Sequence, residues 1–322
     1  MSATLARTER RRRLLDLVQS RGAILVLLAS IAAAGATFPD FLRPANLLDI
    51  ATAAAFVGLV TIGQSFVLIL GGFDLAVGSI AGLGTVIAAY CAPYGWLPAL
   101  LAPVLVGAAI GLVDGTLIAR ARMAPFIVTL AALLAVRAAA VATAGESMVI
   151  ANPGFFATIA NGSLLGIGNL VWILLAAYAA ASLLLNRTPF GTAIFAIGGN
   201  EEAARMLGIR VVRTTTLAYV LSGATAGLAG SLLAAHLDSG LSAAGTGYEL
   251  QSIAAAVIGG VLLTGGVGTM AGALAGALLL GLIDNVINQI GTLSAYTQGL
   301  ASGAFLLLAV IVQAALSRSR TA

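Results

Sequence analysis

The sequence predicts an all-α polytopic membrane protein of about ten transmembrane helices, with N- and C-termini in the cytoplasm. Three observations carry that reading. Hydrophobic residues make up 60% of the 322, and charged residues only 9%, more apolar surface than a soluble domain of this size can bury. Apolar runs of the roughly 20 residues that a spanning helix needs recur along the chain. The cationic residues gather in alternate connections, as the positive-inside rule requires.

In chain order, a basic N-terminal segment, 1–22, comes first. Its stretch TERRRRLLDLVQSR is too polar for a cleavable leader, and the first apolar run continues as a span. Turn residues and charges then separate spans at about 23–38, 48–70, 74–91, 96–119, 125–144, 167–185, 214–236, 249–264, 268–290 and 295–316. The third and eighth are short or interrupted by glycine. Together, 23–316 read as a single permease-like membrane domain with a long cytoplasmic loop at 186–213 and a tail at 317–322.

Charge tests the count. All sixteen basic residues are arginine. With the N-terminus inside, fourteen fall in inner segments; Arg43 lies outside and Arg137 within the fifth span. Losing one helix would flip half of the clusters outward. The stretches GGFDLAVG (71–78) and GGVLLTGG (259–266) share the pattern GGxxLxxG. They are read as a possible weak internal repeat, of the kind many transporters carry, or as the ordinary glycine richness of membrane helices.

Composition also excludes functions. One cysteine, Cys91, rules out an intrachain disulfide framework, and one histidine, His236, argues against a histidine metal centre. No GxxxxGK[ST] phosphate loop occurs, so the chain does not bind ATP by that device. No nucleophile, base and metal set converges, so no catalytic residue is assigned. The basic balance reads as topology and lipid contact, with no nucleic acid implied.

The densest mid-chain charge lies in the long loop, where Glu201, Glu202, Arg205, Arg210 and Arg213 fall close together. Gly198 and Gly199 let the chain turn, and Asn200 is a good N-cap. The two glutamates then suit the first turn of a helix, and Arg205 stands four residues after Glu201, a favourable pairing distance. Gly208 can supply a left-handed stop, with Ile209 folding back on Ala204. Two turns of helix cannot stand alone, and Ala203, Met206 and Leu207 share a face that needs cover. From the residues alone two arrangements are open: the helix lies on the ends of the spans, or it docks a partner.

The stretch FGTAIFAIGGNEEAARMLGI resembles the coupling segment of the sugar-type permeases (ribose, xylose, arabinose, galactose) of bacterial ATP-binding-cassette importers. GQSFVLILGGFDLAVGSIAGL (63–83), APFIVTLAALLAVRAAA (124–140) and the stretch from Gly245 to Leu279 resemble other segments of that family, collinearly from about Asn46 to Val310. The resemblance implies a permease of the bacterial inner membrane that moves a monosaccharide and has no cofactor of its own. ATP and magnesium would sit on a partner ATPase, which would dock at Gly199–Ile209. A periplasmic sugar-binding protein and a second permease copy or a paralogue are the other implied partners. Gln251, Phe73 and Ala138 stand where the family usually has aspartate, isoleucine and glycine.

Polar groups within the spans are the remaining candidates. Gln64, Asp74, Asn285 and Asn288 are read as a possible translocation path, because amides can bond sugar hydroxyls without trapping them. The competing reading, for Gln289 as well, is interhelical hydrogen bonding, and for Asp74 the capping of backbone amides beside Gly71 and Gly72. Tyr248 and Glu249, at the outer start of the eighth span, are read as a possible binding-protein contact, the competing readings being an interfacial aromatic and an acid at a helix N-terminus. Arg137 is expected to snorkel to the outer interface. The alternative function is a self-contained secondary transporter or channel, which would want acids or histidines clustered at mid-membrane. Asp74, Asp114 and Asp284 are too scattered in sequence for that.

Overall fold

The computed structural model describes residues 22–144, 149–150 and 154–290, and residues 300, 303, 304 and 307. The helices are α1 (Gly22–Thr37), α2 (Pro44–Ile69), α3 (Val77–Cys91), α4 (Trp96–Arg120), α5 (Pro125–Ala144), α6 (Gly154–Asn161) and α7 (Asn169–Arg187). They continue with α8 (Pro189–Gly199), α9 (Glu201–Met206), α10 (Val211–Leu237), α11 (Tyr248–Ile258) and α12 (Met270–Ile290). Two tiny antiparallel pairings accompany them: Val149–Ile150 with Ser239–Gly240, and Ser163–Leu164 with Ile167–Gly168.

Seven of these helices are long and apolar enough to cross a membrane: α2, α3 with its 3-10 extension to Tyr94, α4, α5, α7, α10 and α12. The eighth predicted span is not helical along its whole length. The apolar run at 249–264 is helical for only 11 residues, as α11. It stops because Gly260 takes φ +88 and the Val261 amide folds back to the Ala256 carbonyl at 2.9 Å, a glycine-dependent cap. Of the first apolar run, the described residues hold the helix Gly22–Thr37. Most of the tenth span, with the basic segment and the tail, lies outside the described residues.

α2 ends in the same kind of cap, with Gly71 at φ +91 and the Gly72 amide on the Val67 carbonyl at 2.9 Å. The repeat read in the sequence is therefore out of register. The left-handed residue is the first glycine of 71–72 but the second of 259–260, and Gly78 is helical whereas Gly266 has φ +75.

The helices sort by burial. α2, α3, α10 and α12 are mostly buried, whereas most residues of α4, α5 and α7 are exposed or only partly buried. α10 packs against α4, α3 and α2. A methyl group at Gly107 would overlap the Gly223 carbonyl oxygen, and one at Gly223 the Gly107 oxygen. Small residues thus let α4 and α10 cross backbone to backbone, as membrane helices do.

Between α10 and α11 the chain is not helical but runs against α3, with Ser239, Gly240 and Gly245 buried. Leu241 donates its amide to Thr85 Oγ1 at 3.0 Å. Gly240 lies against Ala89 and Thr85, the Ala244 carbonyl against Gly82, and Gly245 against Gly78. The segment descends along α3 through about 16 Å, eleven residues of helical rise. Irregular backbone within a membrane protein is tolerated where protein covers it, as α3 covers this segment on one side.

Candidate functional site

The loop at 186–213 folds as two helices and a stop. Thr188 caps α8, accepting from the Gly191 amide at 3.3 Å. Asn200 then breaks the helix with an extended backbone, and its Oδ1 accepts from the Ala203 amide at 2.9 Å. Arg205 meets Glu201 Oε1 at 2.6 Å. Gly208 has φ +80, and the Ile209 amide returns to the Ala204 carbonyl at 3.1 Å. The Asn200 cap, the Glu201–Arg205 pair and the Gly208 stop are as the sequence specified, whereas Gly198 and Gly199 stay helical at the end of α8 and the turn falls on Asn200.

What this short helix covers and what it leaves bare divide cleanly. Ala204 is buried, while Met206 and Leu207 are each 80% exposed. Two large apolar side chains at the tip of a charged, firmly capped helix form a surface with no cover among the described residues.

The helix is anchored through backbone. A side chain at Gly198 would overlap the Ile69 carbonyl oxygen, and the Gly266 amide donates to that same oxygen at 2.8 Å. A methyl group at Gly265 would lie 2.9 Å from the Gly198 oxygen and 3.0 Å from Gly71 Cα. The α8–α9 junction, the α2–α3 connection and the α11–α12 connection therefore meet at one point. No flexible side chain intervenes to absorb a displacement.

The proposed path residues do not come together as one lining. Asn285 Nδ2 donates to Asn46 Oδ1 at 2.9 Å, and Gln289 Nε2 donates to the same oxygen at 3.2 Å. These amides tie α12 to the start of α2. Asn288 lies on the exposed end of α12. Gln64 is fully buried in α2, with both amide atoms unpartnered among the described residues. Asp74 is buried in the α2–α3 connection and accepts from the Ala76 amide at 3.0 Å. Asp114 and Asp284 are set in α4 and α12.

Two placements differ from expectation. Tyr248 and Glu249 do not stand at an outer mouth. Glu249 packs against Gly78 in the first turn of α3, and its Oε1 accepts from the Gly247 amide at 3.2 Å. The descent of 238–247 along α3 carries them there. Arg137 does not snorkel either. Its Nε donates to Ser79 Oγ at 3.2 Å and its Nη1 to Thr246 Oγ1 at 2.6 Å.

Comparison with known proteins agrees with this architecture. Residues 46–312 match the family described as branched-chain amino acid transport system, permease component. The chain belongs to this permease family. The permease is 37% identical to an L-arabinose transporter permease protein of Azospirillum brasilense, over 92% of this chain and 88% of that one. It is 37% identical to the ribose import permease protein of Escherichia coli K12, over 90% and 92% of the two chains. Against the ribose import permease protein of Bacillus subtilis the figures are 36%, 97% and 98%. No solved structure matches the chain.

The feature that sequence reasoning missed is the clasp around Arg137. Ser79 of α3, Arg137 of α5 and Thr246 of the descending segment converge where α11 begins. The one signal was a lone arginine in an apolar run, and its partners lie 58 and 109 residues away.

Proposed function

We propose that the chain is the membrane-spanning permease subunit of an ATP-driven importer that carries a monosaccharide across the bacterial inner membrane. The observation that carries this is the pair Met206 and Leu207, exposed on a helix whose other end is locked by backbone contact to two span connections. Such a helix is built to receive a push from a second protein and pass it on. The full-length relatives are named for arabinose and ribose, which favours a sugar over the amino acids in the family's description.

In this reading the ATPase subunit holds ATP and magnesium and covers Gly199–Ile209. Both termini and the loop at 186–213 face the cytoplasm. Arg120, Arg205, Arg210 and Arg213 line one cavity and so share one side, which supports that orientation. A sugar-binding protein delivers substrate from the periplasm, and a second copy or paralogue completes the path. Closure of the ATPases moves α9, and the three-way junction transmits the motion to α2–α3 and α11–α12. The ten-span topology belongs to the same proposal, with 295–316 returning the C-terminus inside.

The test is uptake into proteoliposomes. The chain reconstituted with the ATPase and binding protein of its own transport system should take up labelled ribose or arabinose only with ATP inside. Uptake by the chain alone, without ATP, would instead establish a self-contained secondary transporter.

A further inference from the structure

Where α4 ends and α10 begins, the surface opens into a cavity of about 650 Å³. Its rim carries Arg120, Arg205, Arg210 and Arg213, and its walls include Leu112 and Leu217. Arg205 is paired with Glu201. The other three arginines have no acidic partner among the described residues, and the first turn of α10 holds no acid. Like charges gathered at the positive end of a helix repel one another unless an anion joins them.

The walls identify the kind of anion. Leu112 precedes Arg120 by eight residues on α4, so the cavity runs about 12 Å into the apolar part of the span. Leu112 and Leu217 are exposed along it. A partner protein's acidic side chain or a free phosphate ion can reach the rim, but neither fills an apolar channel within the hydrocarbon layer. An amphiphile with an anionic head fits both parts. Basic pockets between spans at the headgroup level suit such lipids.

We infer that this cavity is a binding site for an anionic phospholipid, its phosphate held by Arg120, Arg210 and Arg213 and an acyl chain laid between Leu112 and Leu217. Arg205 of the docking helix forms part of the same rim, so the lipid contacts α9 directly. Its occupancy brings the lipid composition of the leaflet to bear on the helix that receives the ATPase.

Native mass spectrometry of the purified, delipidated chain tests this, with phosphatidylglycerol or phosphatidylcholine of equal chain length added back. Phosphatidylglycerol should bind at least about tenfold more tightly. Each single Arg→Gln change at 120, 210 or 213 should weaken it about fivefold. A triple Arg→Lys variant should keep binding within a few-fold and show that the fold survives. Arg43→Gln, at a cation paired with Asp40 elsewhere, should leave binding unchanged. Equal binding of phosphatidylcholine, undiminished binding in the glutamine variants, or full displacement by millimolar inorganic phosphate would each overturn the assignment.

Discussion

The amide of Gly266 donates to the carbonyl oxygen of Ile69 at 2.8 Å, and Gly198 packs on that same oxygen. Three connections far apart in sequence are thereby fastened without a side chain between them. Interiors packed this closely transmit strain instead of absorbing it. Movement of α9 must therefore be felt at both connections.

The two adjacent glycines at this junction should respond in opposite ways. A side chain at Gly198 meets rigid backbone, whereas one at Gly199 meets nothing within 4 Å. Gly198→Val is expected to destabilise the chain by about 1–3 kcal/mol and to lower its melting temperature in detergent. Gly199→Ala should leave that temperature nearly unchanged. Equal effects would remove the junction from the account.

Gly208 holds φ +80 so that α9 can stop and Ile209 return to Ala204. Gly208→Val forces a β-branched residue into the left-handed region, a strain on the order of 1–3 kcal/mol. ATP-dependent uptake should fall sharply. Gly208→Asn, which tolerates that conformation, should retain most of it. Full uptake by the valine variant would show that this stop is dispensable.

Arg137 ties α5 to α3 and to the segment descending to α11. Arg137→Met removes charged hydrogen bonds worth about 1.5–3 kcal/mol each. The amides of 241–247 should then exchange with deuterium faster by at least tenfold, while those of α2 hold. Unchanged exchange in 241–247 would mean that the clasp does not fix the segment.

Asn46 accepts from Asn285 and Gln289 across the α2–α12 contact. In membranes such bonds contribute about 1 kcal/mol or less each. Asn285→Ala should lower thermal stability modestly and leave the KM for sugar unchanged. A rise in KM without loss of stability would return Asn285 to the translocation path.

α9 was legible in the sequence because its code is local: Asn200, Glu201, Arg205 and Gly208 act within nine residues of one another. α11 was harder. A half-length helix inside the protein and a full span share the same apolar composition, so the glycine interruption in 249–264 did not by itself mark where the helix ends; the positive φ of Gly260 does. The inward placement of Glu249 follows from that descent and from contact with Gly78, 171 positions earlier in the numbering. Arg137 was conspicuous, but its partners are long-range contacts that no periodicity encodes.

The most direct test of the central claim is purification of the tagged chain from its own membranes under mild detergent, beside a Met206→Asp, Leu207→Asp double variant. Both side chains are exposed, so the fold should survive. The account predicts an ATPase subunit that accompanies the wild-type chain and is depleted by at least about tenfold from the variant. An ATPase retained equally by both would show that α9 is not the docking element, and none with either would contradict the importer reading.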